Sequence, residues 1–184
     1  MTYPIVIGMS GRKQSGKDEV FHALRQTFGW EFGGTHTIKR IAFAEGVKEE
    51  LAAACGVTLE ELEARKAGFR LGLQFWGTEF RRQMTHPDYW VQQAEKKFQQ
   101  LKDSAKVVVF TDCRFPNECE LVAQLGGKMW RVERGERPLE LHASETALDG
   151  HPFARVLLNN GTLAEHHKAV QHAFADDYIL CGKP

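Results

Sequence analysis

Apolar residues in this chain gather in short runs, separated by longer stretches in which they recur every three or four positions. Two of the runs, Ile5-Val6-Ile7-Gly8-Met9 and Val107-Val108-Val109-Phe110, are nearly continuous and rich in β-branched residues. Continuity, as opposed to strict alternation, is expected of strands covered on both faces. With less pure runs they make five predicted strands, at 4–9, 37–43, 106–112, 128–133 and 154–158.

Helical spacing fills the intervals. Val20, Phe21, Leu24 and Phe28 fall on one face, with Gly29 as a stop; Val47, Leu51 and Cys55 recur every four residues before Gly56. Thr58-Leu59-Glu60-Glu61 and Thr162-Leu163-Ala164-Glu165 are capping-box signatures that open helices, the second running to about Phe174. Trp90, Ala94, Phe98 and Leu101 mark another amphipathic helix, and Leu121, Val122 and Leu125 one that ends at Gly126-Gly127. Strands alternating with helices predict an α/β fold with a five-stranded, mainly parallel sheet covered on both faces. Ligands in such folds bind at the carboxyl ends of the strands. The segment 56–104 is too long for a simple crossover and is expected to form a helical excursion that binds substrate, not a separate domain.

Composition narrows the class without choosing a chemistry. At 184 residues, 42% hydrophobic and 26% charged, the chain suits one domain, 1–184, with a full core. Twenty-four basic residues balance 24 acidic ones, so no global field favours nucleic acid or an anionic membrane. No run has membrane-spanning length and no signal-peptide pattern opens the chain, so a cytoplasmic location is expected. The four cysteines show no CxxC pair and read as reduced thiols. His142, His151, His166 and His167 lack the spacing of a zinc site.

The chemistry begins after the first strand. Gly11-Arg12-Lys13-Gln14-Ser15-Gly16-Lys17-Asp18 stands between a buried strand and a helix, the context a phosphate-cradling loop requires. Glycines let successive N–H groups converge on an anion, and the helix behind adds its positive end. Lys17 is placed to neutralise the terminal phosphates of a nucleotide. Asp18 stands where such loops carry Ser or Thr; as a hard oxygen ligand it suits Mg²⁺, directly or through water, or else it only complements the helix's first turn. Asp112, at the end of the third strand, is the second acidic candidate near the metal, with turn capping as its alternative.

Several motifs together resemble the bacteriophage deoxynucleoside monophosphate kinases, a branch of the P-loop kinases near adenylate and dephospho-CoA kinases. The loop matches their GxxxSGKD, and Ile41-Ala42-Phe43-Ala44-Glu45-Gly46-Val47-Lys48 is similar to their "FADPLK" segment, with Glu45 for Asp and Gly46 for Pro. Leu73-Gln74-Phe75-Trp76-Gly77-Thr78-Glu79-Phe80-Arg81 resembles "LQ-x-x-GTE-x-x-R", with Trp90-Val91 following. Asp112-Cys113-Arg114-Phe115-Pro116-Asn117-Glu118 resembles "DxRFPNE"; His142-Ala143-Ser144-Glu145 and Asn159-Asn160-Gly161-Thr162 look like the late motifs. The resemblance implies a three-layer P-loop kinase fold that transfers the terminal phosphate of ATP, with Mg²⁺, to a deoxynucleoside monophosphate. It also implies an acceptor-binding region at about 44–104 and a small lid at about 134–153.

Transfer between two phosphates needs positioning and charge neutralisation more than a base, because the acceptor oxygen is already anionic. Arginines should therefore surround the cleft. Arg114 is assigned to the acceptor phosphate, against a structural pair with Glu118, and Arg81 is a second acceptor-side candidate. Arg134 and Arg137 are candidates for the lid, whose closure excludes water. Phe43, Phe75, Trp76 and Trp90 are candidates for a wall that stacks the acceptor base, or else core; Lys48, Gly77 and Thr78 accompany them in the motifs. Asn160, Gly161 and Thr162 are expected near the adenine, with Thr162 also suited to capping the last helix. Two other functions fit the loop: a kinase for a hydroxyl acceptor such as dephospho-CoA or a hydroxymethylated base in DNA, which would need Asp112 or Glu45 as base, and a non-catalytic nucleotide switch. Small-molecule nucleotides are the expected partners, a homodimer is compatible, and neutral charge disfavours polymeric DNA.

Overall fold

A computed structural model describes residues 3–29, 31–135 and 146–180. Its sheet holds the five predicted strands: β1 (Ile5–Ser10), β2 (Ile38–Ile41), β3 (Val107–Phe110), β4 (Lys128–Glu133) and β5 (Arg155–Leu158). They lie in the order β2-β3-β1-β4-β5 with every pairing parallel. The continuous apolar runs occupy the middle: all four residues of β3 are buried, as are Val6 to Ser10 of β1.

The pleat sends alternate residues to opposite layers. Val6, Val108, Phe110 and Met129 face one side and meet α2 (Phe43–Cys55), α5 (Tyr89–Leu101) and α6 (Pro116–Gln124) through Val47, Trp90, Phe98 and Val122. Ile7, Met9, Val107, Val109 and Trp130 face the other and meet α1 (Lys17–Phe28) and α7 (Leu163–Phe174). There Val20, Phe21, Leu24 and Phe28 form the buried stripe that the spacing predicts. Both capping boxes are present, Thr58 at α3 (Leu59–Ala64) and Thr162 at α7. Cys55 departs from expectation: Val47 and Leu51 are buried, whereas Cys55, on the last turn of α2, is exposed.

The excursion after α2 is helical throughout. α3 and α4 (Lys66–Gln74) lead into a π-helical segment, Phe75–Thr85, and α5 returns the chain to β3. A small satellite core of Leu51, Ala52 and Leu62 ties α3 to α2. No helix among the described residues is long and apolar enough to cross a membrane.

In this order the chain leaves β1 toward β2 and β3 on one side, then crosses to β4 and β5 on the other. The loops after β1, β3 and β4 therefore meet at the carboxyl edge of the sheet, where the winding reverses and a crevice opens.

Candidate active site

The loop after β1 is shaped by backbone angles that few residues adopt. Gly11 has φ 147°, and a Cβ on it would lie 2.4 Å from the Val132 carbonyl oxygen, so β4 packs where a side chain would be. Gly16 has φ 101° and caps α1 with no side-chain hydrogen bond, while its carbonyl accepts from the Glu19 amide at 3.1 Å. The Ser15 hydroxyl and Arg12 Nε are buried without a hydrogen-bond partner among the described residues. Lys17 Nζ donates to the Gly11 and Arg12 carbonyls, each at 2.7 Å, so the ammonium lies folded over the loop. Orphaned donors, an uncapped helix start and a lysine at one point suit a polyphosphate: a buried polar group left unpaired is costly, and an anion satisfies several at once. Asp18 is exposed in the first turn of α1, next to this cradle.

The cradle is braced from the far side of the sheet. Asn159, buried at the end of β5, donates from Nδ2 to the Ser15 carbonyl at 2.9 Å. His166 of α7 is 2% exposed and lies 3.4 Å through Nε2 from the Gly16 carbonyl. Burial holds its imidazole below the ordinary value, with the Gly16 contact opposing. The neighbours expected to meet adenine are placed differently. Asn160 accepts from the Gly135 amide at 2.8 Å, Gly161 is exposed, and Thr162 caps α7 through its hydroxyl. Asn159, not Asn160, touches the loop.

Arginines line the crevice as expected, though two are tied to one carboxylate. Arg12 Nη2 meets Asp149 at 2.8 Å; Arg131, 7% exposed, reaches Asp149 at 3.2 Å and Glu133 at 3.1 Å. Arg12, Lys13, Ser15, Arg131 and Arg134 line one cleft, and a second depression runs from Gly11 and Arg12 to Cys113 and Arg114. Arg114 is thus brought to the phosphate loop. Arg134 is exposed at the cleft rim. Arg137 and half of the expected lid, residues 136–145, lie outside the described residues.

On the acceptor side the structure redistributes the candidates. Asp112 accepts from the Phe43 and Ala44 amides at 2.8 and 2.9 Å, capping α2 from a distant loop. Phe43 is 5% exposed and stacks on Phe110, and Trp90 is 2% exposed with Nε1 donating to the Gly77 carbonyl; both belong to the core, not to an open wall. Gly77 is buried between that indole and Val47. Thr78 is half-buried, and Lys48 is paired with Glu63 on α3.

Trp76 and Arg81 remain at the surface, organised by a residue that the motifs do not include. Glu50 of α2 accepts from Tyr89 Oη at 2.5 Å, Arg81 Nε at 2.6 Å and Trp76 Nε1 at 2.9 Å. Partial burial opposes its charge, but these donors outweigh it and hold the carboxyl below its ordinary value. The Arg81 guanidinium also lies 4.6 to 5.8 Å from the ring centres of Tyr89, Phe80 and Trp76. Phe75 is exposed beside them and stacks loosely on Phe80. Residues five apart meet here because π winding bonds i to i+5, which places Trp76 over Arg81.

Glu118 pairs with the Arg82 side chain and accepts from the Arg114 and Phe115 amides at 2.6 and 3.1 Å. It is 1% exposed, and burial pushes its carboxyl up to about 7 despite Arg82. Glu118 is thus joined to Arg114 through the backbone amide, and the ion pair it makes is with Arg82.

Glu50, Tyr89 and His166 carry no motif that names them, whereas the arginine that closes LQ-x-x-GTE-x-x-R, counted from Leu73, falls on Arg82, the neighbour of Arg81. Asn159 had a readable signal, since it continues the in–out alternation of Leu157 and Leu158 to a buried position.

A sequence profile of the phosphomevalonate kinase family matches residues 9–127, from the end of β1 to the residue before β4. ORF77, an uncharacterized protein of Ictalurid herpesvirus 1 (strain Auburn), is 38% identical over 82 residues, which cover 42% of this chain. The match takes in 36% of that protein, so the chain corresponds to little more than a third of its length. Among solved structures, the Cys556Ala mutant of the Mycobacterium tuberculosis APS kinase CysC aligns with a TM-score of 0.47 and 12% identity. That alignment covers 94% of this chain and 97% of the other.

Proposed function

This chain belongs to the phosphomevalonate kinase family, which supports phosphoryl transfer in general, and we propose that it transfers the γ-phosphate of ATP to the phosphate of a deoxynucleoside 5′-monophosphate, giving the diphosphate. ATP supplies the phosphoryl group, and Mg²⁺ neutralises charge between its phosphates when bound. Asp18, in the first turn of α1, would hold the metal. The positive end of that helix, the Ser15 hydroxyl and Lys17 bind the phosphates. Arg114 reaches the acceptor phosphate from the loop after β3, and Arg81 does so from the excursion. Arg134 lies at the rim and screens the transferred group from water.

The observation that carries a phosphate acceptor is the fate of the two carboxylates that could serve as a base. Asp112 is engaged by both amides at the start of α2, and Glu45 is paired with Lys97. A hydroxyl acceptor needs a base within reach of its proton, whereas a phosphate oxygen does not. Among phosphate acceptors, Trp76, Phe80 and exposed Phe75 beside Arg81 favour one with a flat base to stack. Phosphomevalonate, the acceptor in the family's name, is the second reading and is favoured by the profile match alone.

A coupled assay with ATP and Mg²⁺ should turn over at least one deoxynucleoside monophosphate, and Lys17→Ala should abolish it. Turnover of phosphomevalonate alone would transfer the assignment to the second reading. Phosphorylation of only a hydroxyl substrate would overturn both.

A further inference from the structure

We propose that Glu118 is a positioning residue for the acceptor half of the site, fastening the loop that carries Arg114 to the end of the π-helical segment that carries Arg81. The inference rests on the acceptor-side reading of those two arginines. Glu118 stands in the first turn of α6, and its oxygens are used in different directions. Oε2 accepts from the Arg114 and Phe115 amides, closing the turn after β3. Oε1 takes Nη2 of Arg82, the neighbour of Arg81.

Around this carboxylate other contacts hold the same two segments. The Arg82 guanidinium lies 4.2 Å from the Phe115 ring centre, and its Nη1 donates to the Pro87 carbonyl at 3.3 Å. Asn117 donates from Nδ2 to Asp88 Oδ1 at 2.7 Å. In the same loop Asp112 caps the start of α2. The loop 111–118 is thus tied both to α2 and to residues 82–88, and Glu118 supplies the buried carboxylate of the second tie. A bidentate carboxylate between a backbone turn and a guanidinium sets angle as well as distance. Two groups that must meet one phosphate gain from that restriction.

Glu118→Gln keeps the size of the side chain and loses the charge. With whichever acceptor the wild type uses, KM for the acceptor or kcat should worsen on the order of ten- to a hundredfold, while KM for ATP stays within about twofold. A lowered Tm with both KM values and kcat per folded molecule unchanged would overturn the proposal, leaving a brace and nothing more. Should the single variant fold poorly because Arg82 is left buried and unpaired, Arg82→Gln with Glu118→Gln removes both charges. The double variant should fold and show the same selective acceptor defect; a normal acceptor KM in it would be equally fatal. Amide hydrogen exchange provides an arm that needs no acceptor. Faster exchange at Arg114, Phe115 and residues 82–88, with the loop 11–16 unchanged, is expected in Glu118→Gln. Wild-type protection at 114–115 and 82–88 would refute the tie, even if the monophosphate panel had already failed.

Discussion

Gly16→Ala tests how the phosphate loop is held. Gly16 has φ 101° and ψ 20°, and an alanine Cβ there would stand 2.3 Å from Asn159 Nδ2. Forcing an L-residue into left-handed backbone costs roughly 1–2 kcal/mol. The methyl also evicts the Asn159 amide from the Ser15 carbonyl, a bond of 2.9 Å in a buried setting, and its loss costs about 1–2 kcal/mol. The sum, about 2–4 kcal/mol, should lower Tm by roughly 4–16 °C, at the ~2–4 °C per kcal/mol typical of this chain length. Thermal unfolding followed by circular dichroism reads that shift, and nucleotide titration should show affinity weakened about tenfold, equivalent to ~1.4 kcal/mol. The decisive measurement is a cycle with Asn159→Ala. Removing the obstructing amide first should make Gly16→Ala less harmful by about 1 kcal/mol, whereas independent sites add to within ~0.5 kcal/mol. Strict additivity would show that Asn159 does not pack against Gly16, and the bracing described for the loop would be wrong.

Three further outcomes follow from individual contacts. His166 has its pKa lowered by burial, in surroundings that include His167, Glu19 and Arg134; a depressed group stabilises above its unfolded pKa and loses this as pH falls, so the His166 contribution to stability should drop as pH falls below about 6.5, while the raised carboxyl of Glu118 acts in the opposite direction. In denaturant titrations across pH 5 to 8, His166→Gln should therefore lose less stability than the wild type between about pH 6.5 and 5, and an unchanged pH profile would overturn the assignment. Thr162→Ala should remove the cap of α7 at a cost of about 1 kcal/mol and leave ATP affinity unchanged; a selective loss of ATP affinity would instead make Thr162 a nucleotide contact. Glu50→Gln should weaken the hold on Arg81 and raise acceptor KM several-fold, with ATP KM intact. Equal changes in both KM values would count against Arg81 as an acceptor group.

Local pattern was enough for the frame because the frame is built from local rules. Unbroken Val/Ile runs become central parallel strands when both faces are covered, and capping boxes satisfy helix amides within four residues of chain. The loop at 11–18 was legible for the same reason, since its glycines and Lys17 act through their own backbone and immediate neighbours. Roles that depend on a partner far along the chain were not legible. Asp112 reads as a metal ligand until α2 is seen to present its amides from 68 and 69 residues away. Trp90 and Phe43 read as pocket walls until the layers close over them.

Sequence alone therefore determined the five strands and the phosphate loop, both written in contiguous residues, and with them a kinase, although its motifs suggested deoxynucleoside monophosphate kinases where the profile match is to phosphomevalonate kinases. Tertiary structure decided which polar groups are already spent. Glu50 gathers Trp76 and Arg81 because π winding bonds each residue to the one five places on, and it gathers Tyr89 because α5 packs beside them. Glu118 joins Arg82 to the Arg114 turn only because α6 and the excursion pack side by side. A buried charge takes the partner that packing brings to it, and packing is a property of the whole chain.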